Sequence, residues 1–383
     1  MTIRVPWRLA LITLPLLIAL QAPARAEPYL AVATGFKCSQ CHVNPTGGGL
    51  RNAYGNVFAQ TLLPAQHLDT GTDPWTGAIN RFVALGGDLR FDAQRTEVPH
   101  TQALNAFQLQ QARVYLEASV VPERLEVYVD EQVAPGGALN REAWVMYWSA
   151  NHDWYVKGGQ MYLPFGLRLQ DQTAFILQTS GINMTTPDQG IEFGWLKGHW
   201  DAQLAFSNGT AGGAATANGK QSSAQLAWVD SWWRLGAAAN YNDAAQGGSR
   251  SAFALFAGLR TGPIAWLGQA VLIDDRSGAS TSSGAGGTSG TSGTNPPGGV
   301  KSVATLVEGN WSPARGHNVK VTAEYLDPNR SVKNNGQTRY SLIYEVTPIQ
   351  FVQLRGGVRY GDGIPQVATQ HTRLYFIELH GFF

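Results

Sequence analysis

The chain of 383 residues reads as an all-β protein: a transmembrane antiparallel β-barrel of about sixteen strands, with a small N-terminal segment plugging its lumen. Three observations predict this. Beyond residue 81 apolar and polar residues alternate in one stretch after another, the period of two that a strand with unlike faces requires. Charged residues make up only 14 % of the chain, against ~25 % in a soluble domain, while 12 Trp and 13 Tyr help to raise the aromatics to 10 %. Finally, after the first 26 residues no apolar run reaches the ~20 residues that a spanning helix needs. A chain that crosses lipid without such a helix satisfies its backbone only by closing a barrel. The formal net charge of +1 gives no reason to expect a polyanionic partner such as nucleic acid.

Residues 1–26 form a secretory signal peptide. Arg4 and Arg8 supply the basic start, Leu9 to Leu20 the apolar core, and Ala24-Arg25-Ala26 the cleavage site. The mature chain then starts near Glu27, outside the cytoplasm.

Residues 27–80 carry the chemistry. Cys38-Ser39-Gln40-Cys41-His42 is a C-x-x-C-H, the attachment signature of c-type haem. Its two thiols are spaced for thioethers to the two vinyl groups of one porphyrin, and His42 falls under the iron as proximal ligand. Two other uses of the cysteine pair compete. A thiol–disulfide motif wants a βαβ context that this chain lacks, and a structural disulfide leaves His42 without a role. The expected cofactor is therefore one covalent haem c. Gly47-Gly48-Gly49 permits positive φ and a close backbone approach to a flat ligand.

Leu50 to Leu63 reads as a short helix, with Tyr54, Val57 and Phe58 on one face and Pro64 beyond its end. Tyr54 is a candidate to cover a porphyrin face, and Arg51 to meet a propionate by a charge-assisted bond; ordinary packing and a solvated arginine are the alternatives. For the sixth position on the iron the candidates are His67, His100, Met161 and Met184, with Met146 in mid-strand. His67 comes first, because it lies on the same segment and the chain can fold it back over the ring. A segment of this size builds little core by itself, so it needs the haem and the barrel around it.

Residues 81–383 make the barrel. In Asn318 to Tyr325, Val319, Val321, Ala323 and Tyr325 share one face, and Lys320, Thr322 and Glu324 the other. Val352, Leu354, Val358 and Tyr360 alternate with Gln353, Arg355 and Arg359, and Trp233, Leu235, Ala237, Ala239 and Tyr241 with Arg234 and Asn240. Apolar-out and polar-in is what a lipid-facing strand with a wet lumen demands. The strands are expected to start near residues 82, 106, 123, 139, 153, 189, 199, 220, 231, 250, 263, 301, 317, 337, 350 and 371. Tight turns alternate with longer connections, among them 94–105, 164–188 and the Ser/Gly/Thr-rich 274–300, read as a solvated tip. The connection from Gln132 to Ala138 is short for an external loop. An even strand number puts both ends of the barrel on the periplasmic side.

The last strand places Tyr375, Ile377, Leu379 and Gly381 on one face before the terminal Phe383, which resembles the C-terminal signal of outer-membrane proteins. Signal peptide, one C-x-x-C-H and then a barrel of about sixteen strands resemble the fused monohaem cytochrome–porins of the bacterial outer membrane, the iron-oxidising type being the best known. In residues the resemblance rests on Cys38, Cys41 and His42. Gly158 to Gly166 also looks like a strand of the phosphate-selective porins, a likeness of barrel ancestry that carries no phosphate specificity.

The resemblance implies an electron-transfer protein rather than a conventional enzyme. An extracellular reductant, Fe(II) first among them, would give electrons through one haem to a periplasmic c-type cytochrome. Lumen carboxylates such as Asp88, Asp92, Asp130 and Glu324 could gather cations. The competing reading is an anion-selective porin whose haem is regulatory or structural. A peroxidase-like enzyme needs distal acid–base groups, and no such cluster is visible.

Overall fold

The computed structural model describes residues 27–215, 218–243, 248–277 and 299–383. The expected signal peptide and most of the 274–300 connection lie outside the described residues. No helix among the described residues is long and apolar enough to cross a membrane.

Sixteen antiparallel strands form the wall, in sequence order. They are β1 (Val83–Glu97), β2 (Leu104–Val121), β3 (Leu125–Ala134), β4 (Leu139–Trp148), β5 (Trp154–Met161), β6 (Asp188–Trp195), β7 (Trp200–Ser207) and β8 (Gln221–Val229). Then follow β9 (Trp233–Asn242), β10 (Arg250–Thr261), β11 (Ile264–Asp275), β12 (Val300–Trp311), β13 (His317–Asp327), β14 (Gln337–Ile349), β15 (Val352–Asp362) and β16 (Arg373–Phe382). Strand β16 pairs with β1, Leu379 opposite Phe91, which closes the sheet and leaves no edge. A three-residue strand, Ala78–Asn80, leads into β1 and pairs with it. The starts fall within a few residues of those expected; β4, β10, β13 and β14 begin where the alternation puts them.

The wall is inverted relative to a soluble domain. Ile191, Phe206, Leu235, Leu255, Val307 and Ile377 are exposed on its outside, while Glu142, Lys157, Glu192, Asn310, Lys320 and Glu345 are buried inside. Val321 and Tyr325 point out and Lys320, Thr322 and Glu324 point in, as the period of two predicts. Exposed Trp154, Trp195, Trp200, Trp232, Trp266 and Trp311 sit at the short-turn ends of their strands, whereas Tyr241, Tyr325, Tyr340, Tyr360 and Tyr375 sit towards the long-loop ends. Amphipathic rings at both rims of the apolar band match the girdles of outer-membrane barrels.

Two stretches leave the wall and fill the lumen. One is the segment before β1, with helix α1 (Pro28–Thr34) and helix α2 (Ala53–Thr61). The other is the long connection between β5 and β6, residues 162–187, with helix α3 (Phe175–Ser180). The sequence suggested an external loop for the latter; the chain instead turns inward, because its Leu163, Phe165, Leu167, Ile176 and Leu177 find an apolar partner in Tyr29, Leu30 and Val32 of α1. The wall accommodates them with small inward side chains, Ala205, Ala227, Ala238, Ala252, Ala254, Ala265 and Ala304.

Candidate functional site in the barrel lumen

The N-terminal segment is tied to the wall residue by residue. Pro28 opens α1, and Gly35 ends it at φ 74°. A Cβ on Gly35 would lie 2.6 Å from Ser231 Cα in the β8–β9 turn, so positive φ and close approach both require glycine here. The carbonyls at the end of α1 meet cations, as a helix C-terminus favours. Arg234 donates to Ala31 O (2.6 Å) and Phe36 O (2.7 Å), and Arg260 donates to Ala33 O (2.8 Å). Lys37 then donates to Leu196 O (2.5 Å) and Trp200 O (2.6 Å), at the β6–β7 turn.

The cysteine motif follows as a short 3₁₀ turn, Cys38–Gln40. His42 N–H donates to Cys38 O (3.0 Å), and His42 pairs with Arg51 in an isolated bridge. Between them the chain makes a loop that grips the wall. Asn44 donates to both carboxylate oxygens of Glu142 (2.9 Å each), accepts from Lys157 (3.3 Å), and Lys157 pairs with Glu192 (2.9 Å). All four side chains are buried, so each needs the others to be satisfied. Leu50 N–H donates to the Tyr128 hydroxyl (3.1 Å), and its side chain packs with Tyr128 and Trp144. Gly47, Gly48 and Gly49 have φ of 88°, 82° and 66°, the positive values expected of the triplet.

Helix α2 begins at Asn52, whose side chain accepts from Gly55 N–H (2.9 Å) as an N-cap. Gly55 lies directly against the Cys41 carbonyl, where no Cβ fits, so the helix braces the motif from behind. Beyond it the segment returns to the short turns. Arg315 donates to Pro64 O (2.7 Å), Ala65 N–H to Thr347 O (2.7 Å), and Leu68 and Gln350 bond reciprocally.

The inward loop crosses to the far wall. Leu167 N–H donates to Gln269 (2.6 Å), Phe175 N–H to Glu324 (2.8 Å), and Arg250 to the carbonyls of Thr179 and Ser180 (2.5 and 2.7 Å). Asp171 is held by Arg359 (2.6 Å) and Arg339 (3.4 Å). Burial alone would raise its pKa, but the two guanidinium groups outweigh it and hold the carboxyl below the usual range.

Together the two stretches leave an open cavity of about 1500 Å³, counting the open space at its mouth. Cys38, Cys41, His42, the three glycines and Arg51 all line it. A second cavity, of about 920 Å³ with the open space at its mouth counted and bordered by Phe82, Glu117, Glu126 and Trp148, also reaches His42 and Arg51, so these two residues stand between the lumen and the short-turn end. The other two expected site residues lie apart. Tyr54 is about half exposed and packs on Phe36 and Phe58, and His67 Nδ1 contacts Gln60 O (3.1 Å); neither lines the cavity. Of the helix face expected to cover a porphyrin, Phe58 is buried and Tyr54 half exposed, and neither they nor Val57 border the cavity.

Four observations test the site against a covalent haem. The thiols are not joined in a disulfide. Burial raises both their pKa values, Cys41 to about 11, which is the reverse of what a thiol-exchange motif requires. A Cβ on Gly47 would stand 3.1 Å from Cys38 Sγ, so the triplet keeps the thiol uncrowded. Lastly, Arg51, Arg168 and Arg234 line the cavity without an ion pair among the described residues: Arg51 stacks on Phe382, and the other two bond backbone carbonyls. Partly buried cations of this kind favour an anion between them, such as a pair of propionates. The residues fit the group.

The lumen carboxylates named from the sequence are not loose cation traps. Asp88 pairs with Arg90 (3.1 Å) and His380 (2.8 Å), Asp130 with Arg113 (3.2 Å) and Glu324 with Arg339 (2.6 Å), while Asp92 accepts from Gln110 (2.8 Å). Sequence reasoning missed the role of the inward loop and of Arg168 and Arg234. A signal was present: β10 and β11 carry apolar residues on both faces (Ala252, Ala254, Phe256, Leu267, Val271 and Ile273 inward), which a wet lumen would not need.

No family model matches the chain, and no curated protein matches it. Solved structures do. The anion-selective porin of Comamonas acidovorans is similar at a TM-score of 0.60 and 12% identity, over 79% of this chain and 99% of that one. The loop L8 deletion mutant of OmpT, an outer membrane protein of Vibrio cholerae, aligns at 0.57 and 13% over 79% and 99%. The outer membrane channel DcaP of Acinetobacter baumannii aligns at 0.56 and 12% over 79% and 97%. At such identities the likeness establishes the fold: a porin-like barrel of the outer-membrane kind.

Proposed function

We propose that this barrel is an outer-membrane electron conduit. The observation that carries the reading is that the C-x-x-C-H is not on an appendage: it faces the lumen, and the polypeptide around it fills the passage. Attached through Cys38 and Cys41 with His42 as proximal ligand, haem c would supply a one-electron centre inside the membrane. Arg51, Arg168 and Arg234 would balance its propionates, and the glycine triplet lets the backbone lie close to the ring. Helix α1 and the inward loop keep solutes and bulk water from crossing. The cavity that reaches His42 from the short-turn end, where the wall begins at Val83 and ends at Phe382, would offer an approach for a periplasmic cytochrome. The donor at the long-loop end would be an extracellular reductant, Fe(II) first. An apolar band ~25 Å tall separates donor from acceptor, and a centre within the lumen divides that distance.

A second reading, an anion-selective channel, is favoured by the porins among the structural neighbours and by the unpaired arginines of the cavity. Planar-bilayer recording separates the two. The conduit predicts a closed passage, with conductance far below that of an open porin, and reduction of the haem spectrum when Fe(II) is added to purified protein. Anion-selective porin-sized steps with no spectral change would establish the channel instead.

A further inference from the structure

We propose that Met184, from the inward loop, would join His42 as the second protein ligand of the haem iron, so that the iron site would be completed by the barrel and not by the N-terminal segment. The inference rests on the haem reading above. Among the described residues, the nitrogen and sulfur donors that line the cavity besides the motif and the arginines include His380, Lys37 and Met184. His380 has both ring nitrogens engaged, Nε2 with Asp88 (2.8 Å) and Nδ1 with Gln353 (3.0 Å). Lys37 has its ammonium on two carbonyls of the β6–β7 turn. Met161 and Met146 are fully buried in the apolar cluster around Trp144 and do not reach the cavity. His67 is turned onto the Gln60 carbonyl.

Met184 remains, and its position is built. A Cβ on Gly48 would lie 3.3 Å from its Sδ, just as one on Gly47 would lie 3.1 Å from Cys38 Sγ. Successive glycines thus seat the attachment thiol and the thioether along one short turn. The backbone of Met184 is fixed from both sides: its N–H donates to Gln172 (3.0 Å), and its carbonyl accepts from Arg113 (3.5 Å). The Asn183 side chain accepts from Thr185 N–H (2.7 Å) and tightens the same turn. A thioether needs no polar partner of its own, so nothing has to be broken for it to bind iron. Met ligation raises the potential relative to a second imidazole, which suits a centre that must accept electrons.

The test uses the purified holoprotein and Met184→Leu, which keeps side-chain volume. In the native protein the far-red charge-transfer band of ferric methionine-ligated haem is expected. In Met184→Leu that band is lost, the midpoint potential falls, and the ferrous haem binds carbon monoxide on mixing, while haem staining on denaturing gels is unchanged. Met184→His should restore a low-spin spectrum at a potential below the native one. His67→Ala should change none of these. A Met184→Leu protein with native band and potential, or a His67→Ala protein that loses them, overturns the assignment. A native protein without covalent haem fails earlier, at the reading on which this one rests, and the gel alone reveals that.

Discussion

In the barrel wall every contact repeats. Each strand hydrogen-bonds two neighbours, and each residue faces lipid or lumen according to its parity, so an error at one position is outvoted by the rest. In the segment before β1 almost nothing repeats. Its place is set by single contacts, Asn44 with Glu142 and Lys157, Leu50 with Tyr128, Gly35 against Ser231, between residues far apart in sequence. The wall is therefore robust and generic; the plug is specific and holds the C-x-x-C-H motif. The difference suggests that the two can be broken separately.

The largest expected effect comes from removing the plug. Deleting residues 28–76 should leave a wall that still folds, seen as heat-modifiable mobility on gels, but should turn a closed passage into one with porin-sized conductance. If the deleted chain fails to form a barrel, the wall depends on its plug more than its repeating contacts imply. Next in size is the double change Cys38→Ala, Cys41→Ala. It should abolish haem staining on denaturing gels and leave wall assembly untouched, since neither thiol bonds the wall.

Matched substitutions sharpen the contrast. Ile377→Arg, in mid-strand on the lipid face and 67% exposed, should cost about 2–4 kcal/mol of wall stability in reversible unfolding from lipid vesicles. Leu50→Ala, 1% exposed within the plug, should cost about 2–5 kcal/mol locally, seen as faster proteolysis of the N-terminal segment with the wall's own unfolding unchanged. Equal shifts of both regions by either change would show one cooperative unit.

The smallest effect concerns the latch of the inward loop. Asp171 titrates below the usual carboxylate range, burial opposing and Arg359 and Arg339 prevailing. A carboxyl lowered on folding contributes stability that is present above its unfolded pKa and is lost as pH falls through the folded one. Hydrogen exchange of residues 170–182 should thus be independent of pH-driven loosening between pH ~5 and ~8, after correction for intrinsic rates, and should rise only in stronger acid. Asp171→Asn should show the loosened rates at neutral pH.

How much of this was legible in the sequence follows from the same contrast. The parity of Val321 against Lys320, or of Ile377 against Glu378, is local information, so the strands and their facing could be read directly. The partners of the plug could not, because Arg168 and Met184 approach Gly47 and Gly48 only after the inward loop has crossed the lumen. His67 looked the better ligand on the argument of chain proximity alone; in the fold, proximity along the chain takes it to the Gln60 carbonyl, outside the cavity. The clue that was available lay in β10 and β11, apolar on both faces, which already implied that something dry fills the lumen.

The central claim is that electrons cross this wall through the plug while solutes do not. The most direct measurement places the intact holoprotein in sealed proteoliposomes that enclose ferricytochrome c, with Fe(II) outside and an ion-flux dye inside. The conduit predicts reduction of the enclosed cytochrome, absent with the Cys38→Ala, Cys41→Ala protein, at an ion flux no greater than that of protein-free vesicles. Enclosed cytochrome that stays oxidised while ions pass freely would contradict it and leave the anion-selective channel.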